Sequence, residues 1–128
     1  MALPLTQCSV LLVDDEPLIL DLYAAALRQR GFTVHLATDA ATARAINERA
    51  RPNITCIDGR MINESGANLA RRLIDAGARV VLFTNDQALY DHPPAGLAGR
   101  LIKVNTRPAE LADRLLEILA GVETSRRK

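Results

Sequence analysis

Short apolar runs alternate with longer amphipathic segments along this chain. The first run, residues 10–13, is uninterrupted and stops abruptly at a group of acidic residues, which is typical of a strand buried on both faces of a sheet. Pro17 suits the first turn of a helix, because the N–H that it lacks is not needed there. Residues 18–27 are apolar nearly all round and Gly31 is a stop signal, so the opening segment predicts a strand followed by a helix.

The same alternation recurs to the end of the chain. Strand-like runs cover residues 33–36, 53–57, 79–83 and 101–102, and helical patterns cover residues 40–50, 66–76, 87–90 and 108–120. The helix at 87–90 is predicted to be short or irregular, because two prolines follow it closely. Five strands alternating with helices predict an α/β fold, namely a doubly wound five-stranded parallel sheet with right-handed crossovers and helices on both faces.

The composition is that of an ordinary globular domain. The 128 residues suit a single core, with 48% hydrophobic and 24% charged residues. We expect one domain at residues 10–121, a short extension at 1–9 and a basic tail at 122–128, to which we assign no function. Because 16 basic residues nearly balance 15 acidic ones, no direct nucleic-acid partner is expected.

The beginning of the chain and its cysteines favour an intracellular protein. The first ten residues contain no basic residue and no apolar stretch of the length of a secretory signal or a membrane span. We therefore expect no membrane partner and a cytoplasmic location. Cys8 and Cys56 fall near the start of one predicted strand and near the end of another, so structural thiols are favoured over a disulfide.

Polar side chains follow four of the five predicted strands, at the point where each strand ends. Asp14 and Asp15 come after the first strand, Asp58 after the third, Thr84 after the fourth and Lys103 after the fifth. Ligands of such sheets bind outside the carboxyl ends of the strands, so these side chains are expected to meet. Each alone has an ordinary explanation, since acids cap helices and lysines are usually solvated. Their coincidence at adjacent strand ends favours a functional site.

The chemistry of these side chains indicates a metal ion and a phosphoryl group. Three carboxylates held together need a cation, and oxygen ligands favour a hard ion such as Mg²⁺. A lysine supplies positive charge to an anionic oxygen, and a threonine hydroxyl can donate to it. A metal-held aspartate can attack phosphorus while the cations neutralise charge on the equatorial oxygens. The expected product is an aspartyl phosphate.

The order and spacing of these motifs resemble the receiver domain of two-component signalling. The resemblance rests on Val13-Asp14-Asp15-Glu16-Pro17, on Asp58 with Met61 and Gly66, on Phe83-Thr84 and on Lys103. It covers residues from about 10 to 120, and its specificity lies in the combination rather than in any one motif. It implies the flavodoxin-like strand order 2-1-3-4-5. The chain is also similar to compact receivers that are found without an output domain.

The resemblance implies roles for individual residues at the metal site. Asp58 would be the phosphoacceptor and one of the Mg²⁺ ligands, and Asp15 would bind the ion directly. Asp14 would bind the ion through water, and Arg60 would contribute its backbone carbonyl. The expected cofactor is therefore Mg²⁺ alone.

For the phosphoryl group, the resemblance implies a set of side chains and backbone amides. Thr84 and Lys103 would hold the phosphoryl oxygens, with Thr84 shifting toward them as the switch. The backbone amides of Arg60 and Asn85 would also face the phosphate. The donor would be a phosphohistidine on a histidine kinase or on a histidine phosphotransferase, and a downstream protein target is a further candidate partner.

Four positions depart from the usual pattern of the family. Val104 follows the lysine where a proline with a cis peptide is common; a cis bond before valine would cost about 2.5–4 kcal/mol, so we predict a trans peptide. Ile62 also stands where proline is common, and Asn85 replaces a small residue. Arg100 replaces a switch aromatic, so a rotating ring cannot be the signal here. These changes leave the expected chemistry intact and concern the relay to the surface.

The residue at position 60 bears on the lifetime of the phosphoryl group and on the other classes of protein that the sequence could encode. Arg60 stands two residues after the acceptor and Asp86 two residues after the threonine; we hypothesise that they form an ion pair across the mouth of the site and set the phosphoryl lifetime. A phosphatase with an aspartate nucleophile would have a second acid at position 60, so that class is less favoured. A receiver-like interaction module that works without phosphorylation stays open.

Overall fold

Five strands and five α-helices alternate along residues 8–61 and 64–121, the part of the chain that the structure, a computed structural model, describes. The strands are β1 (Ser9–Val13), β2 (Thr33–Ala37), β3 (Ile54–Ile57), β4 (Val80–Thr84) and β5 (Gly99–Ile102). The helices are α1 (Pro17–Gln29), α2 (Ala40–Ala50), α3 (Gly66–Asp75), α4 (Gln87–Asp91) and α5 (Pro108–Ala120), and a short 3₁₀ helix, Lys103–Asn105, follows β5. The predicted alternation of strands and helices is confirmed.

The five strands form one parallel sheet in the order β2-β1-β3-β4-β5. This is the order that the resemblance implied, and it makes β1 and β3 neighbours. Val13, the last residue of β1, pairs with Ala37 of β2 on one side and with Ile57 of β3 on the other. The three strands therefore end level with one another, and the residues that follow β1 and β3 lie side by side at the carboxyl edge of the sheet.

Hydrophobic side chains cover both faces of the sheet, because successive side chains of a strand point to opposite faces. In β1, Val10 and Leu12 belong to the core cluster that includes α1 and α5, whereas Leu11 and Val13 belong to the cluster that includes α2 and α3. Helices thus lie on both faces, as predicted. A strand with a core on each side has no solvent face, which explains the unbroken apolar run at residues 10–13.

Helix α4 is short, as predicted, and it is held differently from the other helices. It has five residues, and none of them is buried. Asp86 caps it by accepting a hydrogen bond from the N–H of Leu89 at 3.1 Å. Two prolines, Pro93 and Pro94, follow closely, and proline cannot continue a helix because it lacks the N–H.

The start of β5 differs from the start that the sequence predicts. The strand begins at Gly99, two residues before the predicted start at residue 101. In the sequence this glycine indicates a loop, but in the fold it allows a close approach by α5. A Cβ on Gly99 would lie 2.8 Å from Cδ1 of Ile118, so the helix occupies the space of the missing side chain.

Other predictions concern the chain as a whole. No helix within residues 8–61 and 64–121 is both long enough and apolar enough to cross a membrane. Cys8 and Cys56 are both buried, and burial raises the pKa of the Cys56 thiol to about 12, so that side chain packs as a small apolar group. Most of the expected extension at 1–9 and the whole basic tail at 122–128 lie outside the described residues.

Candidate functional site

Three aspartates meet at the carboxyl edge of the sheet. Asp14 and Asp15 follow β1, and Asp58 follows β3, the neighbouring strand. One carboxylate oxygen from each lies within 4.8 Å of the other two. Over the whole residue, Asp14 is 3% exposed and Asp58 is 8% exposed, so both charges are largely removed from water and require compensation.

Lys103 brings a positive charge to two of these aspartates. It follows β5, its Nζ lies 3.2 Å from Oδ2 of Asp58, and it also donates a hydrogen bond to Oδ2 of Asp14. Burial acts to lower the pKa of Lys103, but the hydrogen bond to Asp14 and the charge of Asp58 outweigh it and raise the pKa above its ordinary value. The ammonium group is therefore charged at neutral pH.

The carboxylate of Asp58 is only partly compensated. Burial raises the pKa of Asp58 above its ordinary value of 3.8; Lys103 opposes this shift and the nearby charge of Asp14 reinforces it. The backbone N–H of Arg60 also donates to Oδ1 of Asp58, at 3.3 Å. Two buried carboxylates thus share one lysine, which leaves negative charge for a further cation to balance.

A cavity of about 380 Å³ opens onto these side chains. Its lining comes from the last residue of β4 and from the segments that follow β1, β3, β4 and β5: Asp15, Glu16, Asp58, Arg60, Thr84, Asn85, Asp86 and Lys103. Thr84 is the last residue of β4, and its hydroxyl accepts a hydrogen bond from the N–H of Asp86 at 3.0 Å. The structure thus brings together all the side chains that the sequence assigned to the metal and the phosphoryl group.

Close packing against α3 fixes the loop that carries Asp58. Gly66 is the first residue of α3, and its N–H donates to the carbonyl of Gly59 at 3.1 Å. A Cβ on Gly66 would lie 2.2 Å from the carbonyl oxygen of Asp58 and 2.6 Å from Cα of Gly59. Both are backbone atoms, so only glycine lets α3 begin this close to the strand end.

We expect Gly66→Ala to lower the free energy of unfolding by about 2–3 kcal/mol, because the added methyl group forces backbone to move. Gly99→Ala is the matched control: its Cβ would meet the end of the flexible Ile118 side chain, at 2.8 Å, and we expect a smaller loss. Urea denaturation of both variants measures the difference. Equal losses at the two positions would contradict the tight contact at Gly66.

Comparison with known proteins agrees with this geometry. A family model described as the response regulator receiver domain matches residues 10–114. The chain belongs to this family. The probable transcriptional regulatory protein TcrX of Mycobacterium tuberculosis is 31% identical to this receiver domain over 114 residues, which are 88% of this chain and 48% of TcrX. The chain therefore spans about half the length of that relative.

Solved structures of response regulators share the fold of this receiver domain. A LuxR-family two-component response regulator from Aurantimonas sp. SI85-9A1 is 30% identical with a TM-score of 0.76, over 89% of this chain and 86% of that one. The signal receiver domain of the putative response regulator NarL from Mycobacterium tuberculosis is 26% identical with a TM-score of 0.77, over 89% of this chain and 97% of that one.

One predicted contact of this receiver domain, the ion pair between Arg60 and Asp86, is wrong, whereas an effect of these two residues on the phosphoryl lifetime stays a prediction. Arg60 and Asp86 line the same cavity, but they do not form an ion pair in the described part of the chain. The carboxylate of Asp86 instead accepts a hydrogen bond from Leu89, because the first turn of α4 leaves that N–H without a helical partner. Ile62, the other departure near the acceptor, lies outside the described residues.

Two contacts of this receiver domain were not predicted. Arg100 stacks its guanidinium on the ring of Tyr90, 4.9 Å from the ring centroid, and donates to the Tyr90 carbonyl at 2.7 Å. The Lys103–Val104 peptide is trans, as predicted, and its N–H donates to Oδ1 of Asn85 at 2.8 Å. The sequence marks Arg100, Asn85 and Val104 as departures from the family pattern, which could have pointed to these contacts. The residues that they contact become visible only in the fold.

Proposed function

We propose that this receiver domain accepts a phosphoryl group on Asp58 from a phosphohistidine and signals through a change in its surface. The observation that carries the proposal is the position of Asp58. Its carboxylate lies beside the Lys103 ammonium, and both line one cavity with Thr84. A nucleophile, a fixed positive charge and a hydroxyl donor thus face the same space, as phosphoryl transfer to an aspartate requires.

The three aspartates fit a hard divalent cation. They offer only carboxylate oxygens, the ligand type that Mg²⁺ prefers, and these oxygens are close enough for one ion. The raised pKa of Asp58 supports the fit, because burial disfavours the charged form of this carboxylate and Lys103 does not fully offset that cost. Asp14, Asp15 and Asp58 would hold the ion together with the backbone carbonyl of Arg60. When bound, Mg²⁺ would supply positive charge beside the phosphoryl oxygens.

The transfer itself uses groups of this chain. An oxygen of ionised Asp58 attacks phosphorus, the phosphorus–nitrogen bond of the phosphohistidine breaks, and the electron pair leaves with the imidazole. Lys103 would neutralise charge on the transferred oxygens. Thr84 would donate its hydroxyl proton to one of them, since among residues 8–61 and 64–121 the hydrogen bond of this hydroxyl is one that it accepts, from the N–H of Asp86. The backbone amides of Arg60 and Asn85 would complete the set of donors.

Hydrogen bonds link Thr84 to α4 and suggest how the signal leaves the site. The Thr84 hydroxyl accepts from the N–H of Asp86, whose carboxylate caps the first turn of α4 at Leu89. Leu89 also packs next to the acceptor, since a Cβ on Gly59 would lie 2.2 Å from Cδ2 of Leu89. We therefore expect a movement of Thr84 to displace α4. This displacement would carry the signal that a rotating aromatic side chain usually carries in the family.

The proposed partners are proteins. The donor is a histidine kinase or a histidine phosphotransferase, and a downstream protein would recognise the altered surface. TcrX is a probable transcriptional regulatory protein of which this chain covers 48%. With a formal net charge of +1, this chain offers no broad positive field for nucleic acid, so we do not extend the transcriptional role of that relative to this chain.

Intact-mass spectrometry tests the proposal. The protein is incubated with acetyl phosphate, a small donor from which acetate leaves when Asp58 attacks, in the presence of Mg²⁺ or of EDTA. We expect an adduct of one phosphoryl group with Mg²⁺ and none with EDTA. If neither acetyl phosphate nor a panel of phosphorylated histidine kinases gave an adduct, the proposal would be wrong, and an interaction module that works without phosphate would be favoured.

A further inference from the structure

One hydrogen bond joins the residue after Thr84 to the residue after Lys103. The N–H of Val104 donates to the side-chain oxygen of Asn85 at 2.8 Å. Thr84 ends β4 and Lys103 follows β5, and these strands are neighbours in the sheet. The bond therefore ties together the two strand ends whose side chains are proposed to hold the phosphoryl oxygens.

Two departures from the family pattern meet in this bond. Position 104 has an N–H to donate because it is a valine, whereas a proline there would have none. Position 85 has an acceptor that reaches across to it because it is an asparagine, whereas a small apolar residue would have none. The Asn85 side chain thus accepts a hydrogen bond from the backbone N–H that position 104 has because it is not a proline.

The turn after β5 depends on this bond for its connection to the loop after β4. Within the turn, the N–H of Thr106 donates to the carbonyl of Lys103 at 3.0 Å, which closes the 3₁₀ helix. Val104 and Asn105 are exposed. The bond from Val104 to Asn85 connects this turn to the loop after β4. It is the one hydrogen bond that does so within residues 8–61 and 64–121.

We propose that Asn85 is a positioning residue for phosphoryl transfer: through Val104 it sets the backbone of Lys103 and so places the ammonium group beside Asp58. This inference rests on the proposed function, because Lys103 has a phosphoryl group to hold only if Asp58 accepts one. The role belongs to the carboxamide side chain. It is distinct from that of the Asn85 backbone amide, which any residue except proline would supply at this position.

The initial rate of adduct formation from acetyl phosphate in saturating Mg²⁺ tests this role. We expect Asn85→Ala to slow the reaction about three- to tenfold, the range for the loss of one hydrogen bond. Val104→Pro removes the donor of the same bond, so in that background Asn85→Ala is expected to change the rate by less than about twofold. Asn105→Ala, which removes another exposed asparagine from the same turn, is the matched control and should react like the wild type.

Amide hydrogen exchange at Val104 measures the bond directly and does not depend on phosphorylation or on the folding of the proline variant. In Asn85→Ala we expect the Val104 amide to exchange several-fold faster, while the amides of the central strands keep their wild-type rates. The two measurements together separate a local loss of the bond from a general loss of stability.

Each adverse outcome has a distinct meaning. An unchanged rate in Asn85→Ala, or an unchanged exchange rate at Val104, would overturn the positioning role. Equal losses in the wild-type and Val104→Pro backgrounds would also overturn it, since Asn85 would then act on the phosphoryl group itself. A wild type that forms no adduct would instead overturn the proposed function, and the role of Asn85 with it.

Discussion

Asp58→Asn is expected to abolish the Mg²⁺-dependent phosphoryl adduct and, without metal, to make the domain more stable. The adduct is lost because a carboxamide lacks the negative oxygen that attacks phosphorus. Stability rises because burial, reinforced by Asp14, raises the pKa of Asp58. When folding raises the pKa of a carboxyl group, the free energy of unfolding falls as the pH rises from the ordinary pKa, 3.8 for Asp58, through the raised pKa. Asparagine removes that ionisation.

The matched control for this variant is Asp21→Asn, the same chemical change on the exposed side of α1. We expect it to form the adduct and to unfold at the wild-type urea concentration. Intact mass in Mg²⁺ and urea denaturation in EDTA measure the two effects separately. An adduct that persisted in Asp58→Asn would place the acceptor elsewhere, and a lower denaturation midpoint would contradict the electrostatic cost assigned to Asp58.

Lys103→Met is expected to lower the free energy of unfolding by about 3 kcal/mol in EDTA and to recover part of this loss in Mg²⁺. Lys103 is paired with Asp14 and Asp58, and the three side chains are 11%, 5% and 10% exposed. Its removal leaves two buried carboxylates without a cation. Because folding raises the pKa of Lys103 above 10.5, its stabilising contribution is present below pH 10.5 and is lost as the pH rises through the raised pKa.

Arg114→Met is the control for the loss of a cation. Arg114 pairs with Glu117 on the surface of α5, where both side chains are about half exposed, and such pairs contribute about 0–1 kcal/mol. Urea denaturation of both variants in EDTA and in Mg²⁺ gives the comparison. If Lys103→Met lost no more than Arg114→Met, the buried pairs would not support the fold; if Mg²⁺ recovered nothing, the aspartates would not bind the ion.

The alternation of strands and helices and most of the site could be predicted from local rules, whereas the order of the strands came from the resemblance to the family. An apolar run that stops at acidic residues, as at residues 10–13, predicts a strand between two cores, and repetition of that pattern predicts a parallel sheet. The carboxyl ends of parallel strands meet at one edge, which brings Asp58 to Asp14 and Lys103. These steps need no knowledge of how any side chain packs.

The rest could not be predicted because it depends on which donors compete for the same acceptor. The ion pair of Arg60 with Asp86 was plausible from spacing alone, but the cap of α4 takes the Asp86 carboxylate. The bond from Val104 to Asn85 crosses between two loops that are 19 residues apart in sequence. Both residues are unusual for the family, but nothing in their positions along the chain indicates that they pair.

The weak anchoring of α4 has a consequence for how a signal would be carried. The helix has no buried residue, and its links to the rest of the fold include a cap at Asp86 and the stacking of Arg100 on Tyr90. Segments with few buried contacts open at a free energy far below that of global unfolding. Helix α4 is therefore expected to sample several local conformations while both cores stay intact. A partner that binds α4 would respond to the relative populations of these conformations, which phosphorylation would shift.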